Sequence, residues 1–214
     1  MYVYKGKDVQ MARKTKEDAE QTRLAILDSA LQTFYEKGFS RTTFDEIAKR
    51  INLTKGAVYW HFKNKADVIA EIIVQKVTTS QNTNGSSVPQ TLSELRQELL
   101  KRASYIEKDK DFQRFLFFVI YRMEWTEAIF DNVWCKIGEL SEIPDKRLLD
   151  SLLQIQQNGE IKKDVDVKVL CTVLSCMWNG CVNRYISGRK KQLNLSDMVL
   201  NGFDTIVAGI KLEK

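Results

Sequence analysis

The chain has 214 residues, of which 43% are hydrophobic and 29% charged, enough apolar material for a sizeable core in one or two domains. No apolar run approaches the ~20 residues of a membrane-spanning helix, and residues 1–10 lack the apolar stretch of a secretory signal, so we expect a soluble, cytoplasmic protein. The net charge is +5, and residues 11–79 carry 12 Lys and Arg against 9 Asp and Glu. This modest basic excess agrees with nucleic-acid binding without establishing it.

Two prolines and ten glycines are few for this length, which favours long helices. We predict an all-α fold of nine or ten helices without a sheet. Residues 1–12 have the character of a disordered leader, and residues 13–79 form a first helical unit. Residues 80–90, rich in Ser, Asn and Gly, have the composition of a linker, and residues 91–214 form a second, longer helical unit.

The first predicted helix carries Leu27, Ala30, Leu31 and Phe34 at the i, i+3, i+4, i+7 spacing of an apolar face. Gly38 follows at the position where a glycine commonly ends a helix. This pattern predicts one helix with a buried stripe, ending near residue 38.

The next part of the chain contains several residues that are typical of helix N-termini. Thr43 and Glu46 form a capping box at the start of a short helix, and Thr54 caps a second short helix after a tight turn. Asn64 caps a third helix, with Asp67 at its third position. Two short helices joined by a turn of three or four residues indicate a helix-turn-helix.

The second short helix has an unusual surface. Val58 and Phe62 face inward, which leaves hydroxyls, a cation, a glycine and rings with polar tips on the remaining surface: Thr54, Lys55, Gly56, Tyr59, Trp60 and His61. Such groups suit phosphates and base edges in a major groove. A surface helix with ordinary aromatic packing is the alternative that this pattern alone leaves open.

Three stretches carry a family resemblance: MARKTK from residue 11, ILDSALQTFYEKGF from residue 26, and TTFDEIAKRINLTKGAVYWHFKNKADV from residue 42. Together they closely resemble the DNA-binding domain of the tetracycline-repressor (TetR) family, and most of all the AcrR-type repressors of multidrug efflux pumps. The likeness covers about the first third of the chain. It implies an N-terminal three-helix DNA-binding domain with a connecting fourth helix, followed by a helical ligand-binding and dimerisation domain.

The resemblance also implies roles for matching residues. Thr42 and Thr43 would contact phosphates, Lys55, Gly56 and Ala57 would read bases, and the DNA backbone would be clamped by Tyr59, Trp60 and His61. Lys65 would hold a phosphate at a helix N-terminus, and Arg13 and Lys14 would form an arm along DNA. We expect DNA-binding residues to be Arg13, Lys14, Thr42, Thr43, Thr54, Lys55, Gly56, Ala57, Tyr59, Trp60, His61 and Lys65.

The second unit is rich in aromatic residues, and the run FLFFVIYRMEW from residue 115 is apolar on all faces over two turns. A helical core explains most of these rings, whereas a ring-lined cavity for a small lipophilic ligand would explain the run itself. We expect that cavity to involve Phe115, Phe118, Tyr121, Met123, Glu124, Trp125, Trp134, Met177, Trp178, Asn179 and Asn183, with Cys135 as a further adaptable wall residue.

The charge of the ligand stays open. Repressors of this type often bind lipophilic cations, for which the carboxylate of Glu124 would be useful. An acid late in the fourth helix would support the same preference, but this chain has Val77 there.

Homodimerisation is expected because one recognition helix reads few base pairs and a two-fold dimer doubles them at ~34–36 Å spacing. The resemblance implies a four-helix bundle made from two helices of each subunit. We expect the interface in the amphipathic helices near residues 165–187 and 196–211, together with residues 145–157.

No other chemistry is indicated. The four cysteines form no CxxC pair, one histidine is available, and no nucleophile–base pair or phosphate loop is present, so we predict no metal, no cofactor and no enzyme activity. Buried reduced thiols are the simplest interpretation of the cysteines, with a redox sensor as the alternative. The sequence thus predicts a dimeric repressor released from operator DNA by a lipophilic ligand. An architectural DNA-binding protein without an effector is the second hypothesis.

Overall fold

The computed structural model describes residues 5–82, 88–138, 144–188 and 194–210. Over these ranges it contains ten α-helices and one π-helical segment, Phe118–Arg122, and no strand. The helices are α1 Lys5–Lys37, α2 Phe44–Arg50, α3 Lys55–His61, α4 Lys65–Asn82, α5 Leu92–Lys108, α6 Lys110–Phe117, α7 Glu127–Gly138, α8 Pro144–Gln157, α9 Val167–Ile186 and α10 Leu195–Ile210. The all-α prediction is therefore confirmed. Within the same ranges, no helix has the length and apolar character needed to cross a bilayer.

The chain divides into two compact units. The N-terminal unit consists of Met1–Val74 and Met123–Lys136, and the C-terminal unit consists of Gln75–Arg122 and Ile137–Lys214. The boundary between the two units lies inside α4, between Val74 and Gln75, whereas we predicted it in the linker at residues 80–90. However, the segment Met123–Lys136, which we assigned to the second unit, belongs to the first.

The core of the N-terminal unit is built by the apolar face of α1. Leu27, Ala30, Leu31 and Phe34 are all buried, as the spacing predicted. The helix ends where Gly38 adopts a φ of 85°, and the Gly38 N–H donates to the Phe34 carbonyl oxygen at 2.9 Å. A glycine takes this left-handed conformation without the steric cost that a Cβ imposes.

The core of the C-terminal unit joins α5, α8, α9 and α10. Its buried residues are Leu92, Leu95, Leu152, Ile155, Ile161, Val167, Leu170, Cys171, Leu174 and Phe203. Gly202 brings α10 close to α9, because a Cβ at this position would lie 2.7 Å from the Met177 sulfur. The last helices thus pack on one another through a small residue.

Two predicted irregular segments differ from the structure. Backbone helix begins at Lys5, within the 1–12 leader; residues 7–20 contain neither Gly nor Pro, so nothing local stops α1 from extending backwards. Similarly, α4 continues to Asn82, into the predicted 80–90 linker.

Candidate functional site

Capping side chains define where α2 and α3 begin, on either side of the turn between them. The Thr43 hydroxyl accepts a hydrogen bond from the Glu46 N–H at 3.3 Å, and the Glu46 carboxylate accepts from the Thr43 N–H at 2.9 Å. Asn52 takes a φ of 55°, a left-handed conformation that Asn tolerates better than most residues. Thr54 then caps α3 by accepting from the Ala57 N–H at 3.2 Å. The predicted capping box, turn and second cap are therefore confirmed.

Several contacts fix α2 against α1. The Ser29 hydroxyl donates to the Ile47 carbonyl oxygen at 2.8 Å in a buried position. Arg50 donates both branches of its guanidinium to Glu36, at 2.8 and 2.9 Å, and Lys37 pairs with Glu46 at 2.6 Å. A bidentate Arg–carboxylate pair restricts orientation as well as distance, so α2 sits in a defined position on α1.

The outward face of α3 carries rings and a cation. Val58 and Phe62 are buried, as predicted, whereas Tyr59 is 53% exposed and Trp60 is 74% exposed. Lys55 lies 5.6 Å from the centre of the Tyr59 ring, and that ring meets Phe44 of α2 edge-on at 4.9 Å. Contacts with Phe44 and Lys55 therefore hold the Tyr59 ring in place, and the exposed face of α3 combines aromatic surface with a positive charge.

Smaller groups complete this face. Thr43, Thr54 and Gly56 are exposed and Ala57 is partly buried. A Cβ at Gly56 would meet only the Thr54 hydroxyl, at 3.8 Å, so the space beside this glycine is open. A close approach of the α3 backbone to another surface is therefore sterically possible.

His61 lies at the partly buried edge of α3. Burial lowers the pKa of its imidazole, and the positive charge of Arg23 lowers it further. The ring is therefore neutral near pH 7, when it can donate one hydrogen bond and accept another.

One predicted phosphate contact, Thr42, is corrected, whereas the phosphate contact of the partly buried Lys65 stays a prediction. Thr42 is only 1% exposed, and its hydroxyl donates to the Gly38 carbonyl oxygen at 2.8 Å. Lys65 directs its ammonium to the carbonyl oxygens of Phe39 and Ser40, at 2.8 and 2.9 Å. Both side chains therefore hold the loop that leads into α2. The capping threonine Thr43 is the exposed one of the Thr42–Thr43 pair.

Arg13 and Lys14 lie on the helical backbone of α1, but their side chains fall outside the described residues. Their predicted role as an arm along DNA stays a prediction.

The C-terminal unit contains a cavity of about 440 Å³. It brings together three of the predicted ligand residues, Trp178, Asn179 and Asn183. The other lining residues, which the sequence analysis did not select, are Val77, Arg102, Tyr105, Ile106, Phe112, Leu116, Ile120 and Val182.

A second cavity, of about 200 Å³, shares Arg102, Trp178 and Asn179 with the first. Its wall holds a charged cluster: Arg102 donates to Glu98 at 2.8 Å, and Arg147 lies 3.5 Å from the same carboxylate. This cluster was not among the residues predicted from the sequence. The spacing of Glu98 and Arg102 by four placed them on one side of α5, beside Leu95 and Leu99, and this was the available signal.

Other predicted ligand residues have different surroundings. Phe115 and Phe118 are buried in the C-terminal unit and do not line the two cavities. Met177 packs against the core and faces Gly202 of α10. The Tyr121 hydroxyl donates to the Asn183 carbonyl oxygen at 3.1 Å and also to the Asn183 side chain, so it contacts a lining residue.

Met123, Glu124 and Trp125 belong to the N-terminal unit. Glu124 accepts a hydrogen bond from the Ser40 hydroxyl there, so the predicted carboxylate for a cationic ligand is not in the cavity wall. The side chain of Trp134 falls outside the described residues, and its predicted role stays a prediction.

The cysteines are more exposed than predicted. Cys171 is buried and Cys181 is partly buried, whereas Cys135 and Cys176 are exposed. Burial raises the pKa of the Cys181 thiol, which makes it a poor nucleophile. Within the described ranges, no three His, Cys, Asp or Glu side chains are grouped so that they could hold a metal ion.

Comparison with known proteins places these features in a family. Residues 26–72 match the model for bacterial regulatory proteins of the tetR family. The "HTH-type transcriptional regulator AcrR" of Shigella flexneri is 55% identical over 62 residues, 29% of each chain. The "Probable acrEF/envCD operon repressor" of Escherichia coli K12 is 27% identical over 181 residues, which cover 82% of this chain and 81% of that one.

A solved structure shows the same fold along most of the chain. The triclosan complex of SmeT, from Stenotrophomonas maltophilia, has a TM-score of 0.74 at 22% identity and covers 90% of this chain and 93% of that one. The relatives named above are regulators of transcription, and the matches indicate no enzyme family. Residues 26–72 therefore carry the segment that is typical of the tetR family of bacterial regulatory proteins, and the chain is similar along most of its length to AcrR-like repressors.

Proposed function

We propose that the protein is a cytoplasmic transcriptional repressor that binds operator DNA as a homodimer and leaves it when a small lipophilic ligand binds the C-terminal unit. The observation that carries this proposal is the outward face of α3, with Tyr59 and Trp60 exposed on a capped helix-turn-helix. Aromatic side chains of this size are costly to leave in water unless a partner covers them.

On this proposal, the genes that the protein controls belong to an efflux operon. The E. coli relative is named as a probable repressor of the acrEF/envCD operon, and SmeT is described as the repressor of a multidrug efflux pump. An operator near the gene for this chain is the first place to look for binding.

The contacts with DNA divide by chemistry. Lys55, Gly56 and Ala57 at the start of α3 read base edges, because this end of a recognition helix enters the major groove. Tyr59, Trp60 and His61 contact the sugar-phosphate backbone. Thr54, exposed at the N-terminus of α3, donates its hydroxyl to a phosphate. Thr43, exposed at the N-terminus of α2, does so by exchanging its hydrogen bond to the Glu46 carboxylate for one to a phosphate, and Arg13 and Lys14 add charge along the duplex.

Release by ligand needs a path from the cavity to the DNA-binding residues. Ile120, in the π-helical segment, lines the larger cavity, and the chain then enters the N-terminal unit at Met123. There Glu124 accepts from Ser40, and Lys136 pairs with Asp67 of α4 at 3.0 Å. A ligand that prefers one arrangement of this segment would shift the population of the DNA-binding form.

Homodimerisation involves α8 and α9. Val169 and Val173, one turn apart on α9, are 59% and 44% exposed, and Leu153 on α8 is exposed as well. Farther along α9, a Cβ on Gly180 would meet nothing within 4 Å. We propose that the same helices of a second copy cover this surface, which gives the two-fold symmetry that a palindromic operator requires.

The test is fluorescence anisotropy with the DNA upstream of the gene, with and without a panel of lipophilic anions, neutral compounds and cations. Specific binding that a compound reverses supports the proposal. Sequence-tolerant binding that no compound reverses contradicts it and favours an architectural DNA-binding protein.

A further inference from the structure

The larger cavity has a mostly apolar wall. Its lining includes the Trp178 ring of α9 and the rings of Tyr105 and Phe112, whose centres lie 5.4 Å apart. Ile106 and Val182 add aliphatic surface. Its volume of about 440 Å³ lies within the range of roughly 300–1,000 Å³ that is typical of small-molecule pockets. This wall therefore suits the ring system of an aromatic ligand.

The polar part of the same wall favours an uncharged ligand. Among the described lining residues of the larger cavity, Arg102 is the one with a charged side chain, and its guanidinium pairs with the Glu98 carboxylate at 2.8 Å. An anion would have to compete with Glu98 for Arg102, whereas a cation would enter a cavity whose described charged group is itself a cation. Because burial of a charge without a partner is costly, either ion loses free energy that an uncharged compound keeps.

Two amides supply hydrogen bonds on one side of this cavity. Asn179 and Asn183 lie four positions apart on α9, hence on one side of the helix, and both line the cavity. Each side-chain amide carries an acceptor oxygen and two N–H donors. The ligand group that matches such an amide both donates and accepts, as a carboxamide or a phenolic hydroxyl does.

Asn183 is held in place by the π-helical segment. The Tyr121 hydroxyl donates to the Asn183 carbonyl oxygen at 3.1 Å and also to its side-chain oxygen. A polar group whose orientation is already fixed loses less conformational entropy when it binds a ligand. Asn183 is therefore better prepared than Asn179 to pair with a ligand, and Tyr121 is its positioning residue.

We propose that the effector is an uncharged aromatic compound whose ring system fills the larger cavity and whose polar group, a donor and an acceptor at once, pairs with Asn183. This inference rests on the proposed function, because it names the ligand class of the same cavity. It also departs from the cationic preference that the carboxylate of Glu124 suggested.

Three probes of nearly the same shape separate charge from size. They are 2-naphthamide, 2-naphthoate and 2-naphthamidine, which are uncharged, anionic and cationic at pH 7. Their affinities for the full-length protein are measured by equilibrium dialysis at that pH. We expect the amide to bind at least about tenfold more tightly than either ion, because neither charge gains a partner of its own in the cavity. An ion that binds as tightly as the amide, or more tightly, overturns the inference.

A variant of Asn183 locates the polar contact. Asn183→Leu replaces the amide with an apolar group of similar size, so the affinity for 2-naphthamide should fall about fivefold, the size of one hydrogen bond. The affinity for 2-methylnaphthalene, which has no polar group, should stay within about twofold. Arg184→Met, an exposed neighbour on α9, is the control and should change neither. An equal loss for both compounds in Asn183→Leu, or no loss for the amide, overturns the pairing with Asn183.

Tyr121→Phe tests the positioning role, and it also decides the case in which Asn183→Leu does not fold. The variant keeps the ring and removes the hydroxyl, so the ratio of amide affinity to hydrocarbon affinity should fall by about threefold. Tyr185→Phe removes a hydroxyl outside the described lining of both cavities and should leave this ratio unchanged. General damage to the cavity would lower both affinities together, so an unchanged ratio in Tyr121→Phe overturns the role of Tyr121.

Release of operator DNA by the same probes separates the two proposals. If the naphthoate or the naphthamidine binds best and releases operator DNA, the inference of an uncharged effector fails while the proposed function stands. If no probe binds and none releases DNA, ligand release through this cavity fails, and the inference fails with it.

Discussion

The ammonium of Lys65 donates to the Phe39 carbonyl oxygen at 2.8 Å and lies 5.0 Å from the centre of the Phe39 ring. A second bond reaches the Ser40 carbonyl oxygen at 2.9 Å. Burial lowers the pKa of the Lys65 ammonium. The first residue of α4 thus stabilises the loop between α1 and α2, which sets the start of the helix-turn-helix.

Replacing Lys65 with Met should therefore destabilise the protein. The two carbonyl oxygens lose a charged donor, and we expect the free energy of unfolding to fall by about 1–2 kcal/mol. Urea denaturation followed by circular dichroism measures this, with Lys101→Met, an exposed lysine of α5, as the matched control. Equal stability of the two variants would show that the Lys65 bonds contribute nothing in solution.

The capping box makes the free energy of unfolding depend on pH. The pKa of Glu46 is lowered from 4.5 to about 2 by the hydrogen bond from Lys37, by those from the Thr43 N–H and hydroxyl, and by the Lys37 charge. A carboxyl with a lower pKa in the folded state stabilises that state above its unfolded pKa, and this contribution is lost as the pH falls toward the folded pKa. The relevant window is therefore pH 4.5 down to about 2.

Glu46→Gln isolates this contribution. The wild type should exceed the variant in free energy of unfolding by a constant amount above about pH 5, and the difference should shrink as the pH falls from 4.5 toward 2. Urea denaturation over a pH series measures it. Lys37→Met removes the largest cause of the shift, so its pH dependence should move toward that of Glu46→Gln; a wild-type profile in Lys37→Met would contradict this account.

The helix-turn-helix could be predicted because its determinants are local. Thr43 and Glu46 lie three residues apart, and a capping box needs only that spacing. The burial of Val58 and Phe62 follows likewise from helical periodicity. Each of these predictions depended on residues within one or two turns of each other.

The cavity wall could not be predicted in the same way. Glu98 and Arg147 are 49 positions apart and meet only through the packing of α5 and α8. Conversely, Phe115 and Phe118 looked suited to a ligand but are buried in the protein. Periodicity shows that a ring is apolar, whereas only the positions of neighbouring helices decide whether it faces a cavity.

The α3 face makes a prediction about DNA. Tyr59→Ala should weaken binding to all sequences, because it removes an exposed ring that contacts the DNA backbone on our proposal. Lys55→Ala should also relax base preference. If Lys55 neutralises a phosphate, the negative slope of log K against log salt should become less steep by about 0.9 in this variant. Anisotropy titrations at several salt concentrations measure both, with Lys101→Ala as control. Wild-type affinity in Tyr59→Ala would remove this ring from the interface.

Glu124 makes a prediction about coupling. It lies in the N-terminal unit and accepts from Ser40, so Glu124→Gln should leave ligand affinity in the C-terminal unit unchanged. The concentration of ligand that releases DNA should change instead, because the free energy that links the two events has been altered. Calorimetry and anisotropy on the same variant separate these effects. A loss of ligand affinity would place Glu124 at the ligand after all.

The exposed valines of α9 make the last prediction. Val173 is 44% exposed and lies one turn from Val169, so burial against a second copy would remove both from water. Val173→Glu would place two like charges across a two-fold interface, and we expect monomers in light scattering and a large loss of operator affinity, because each monomer presents a single recognition helix. Thr172→Glu, exposed at the adjacent position of α9, is the control for an added charge. A Val173→Glu protein that remains dimeric would place the interface elsewhere, whereas a monomer with wild-type affinity would show that dimerisation is not required for binding.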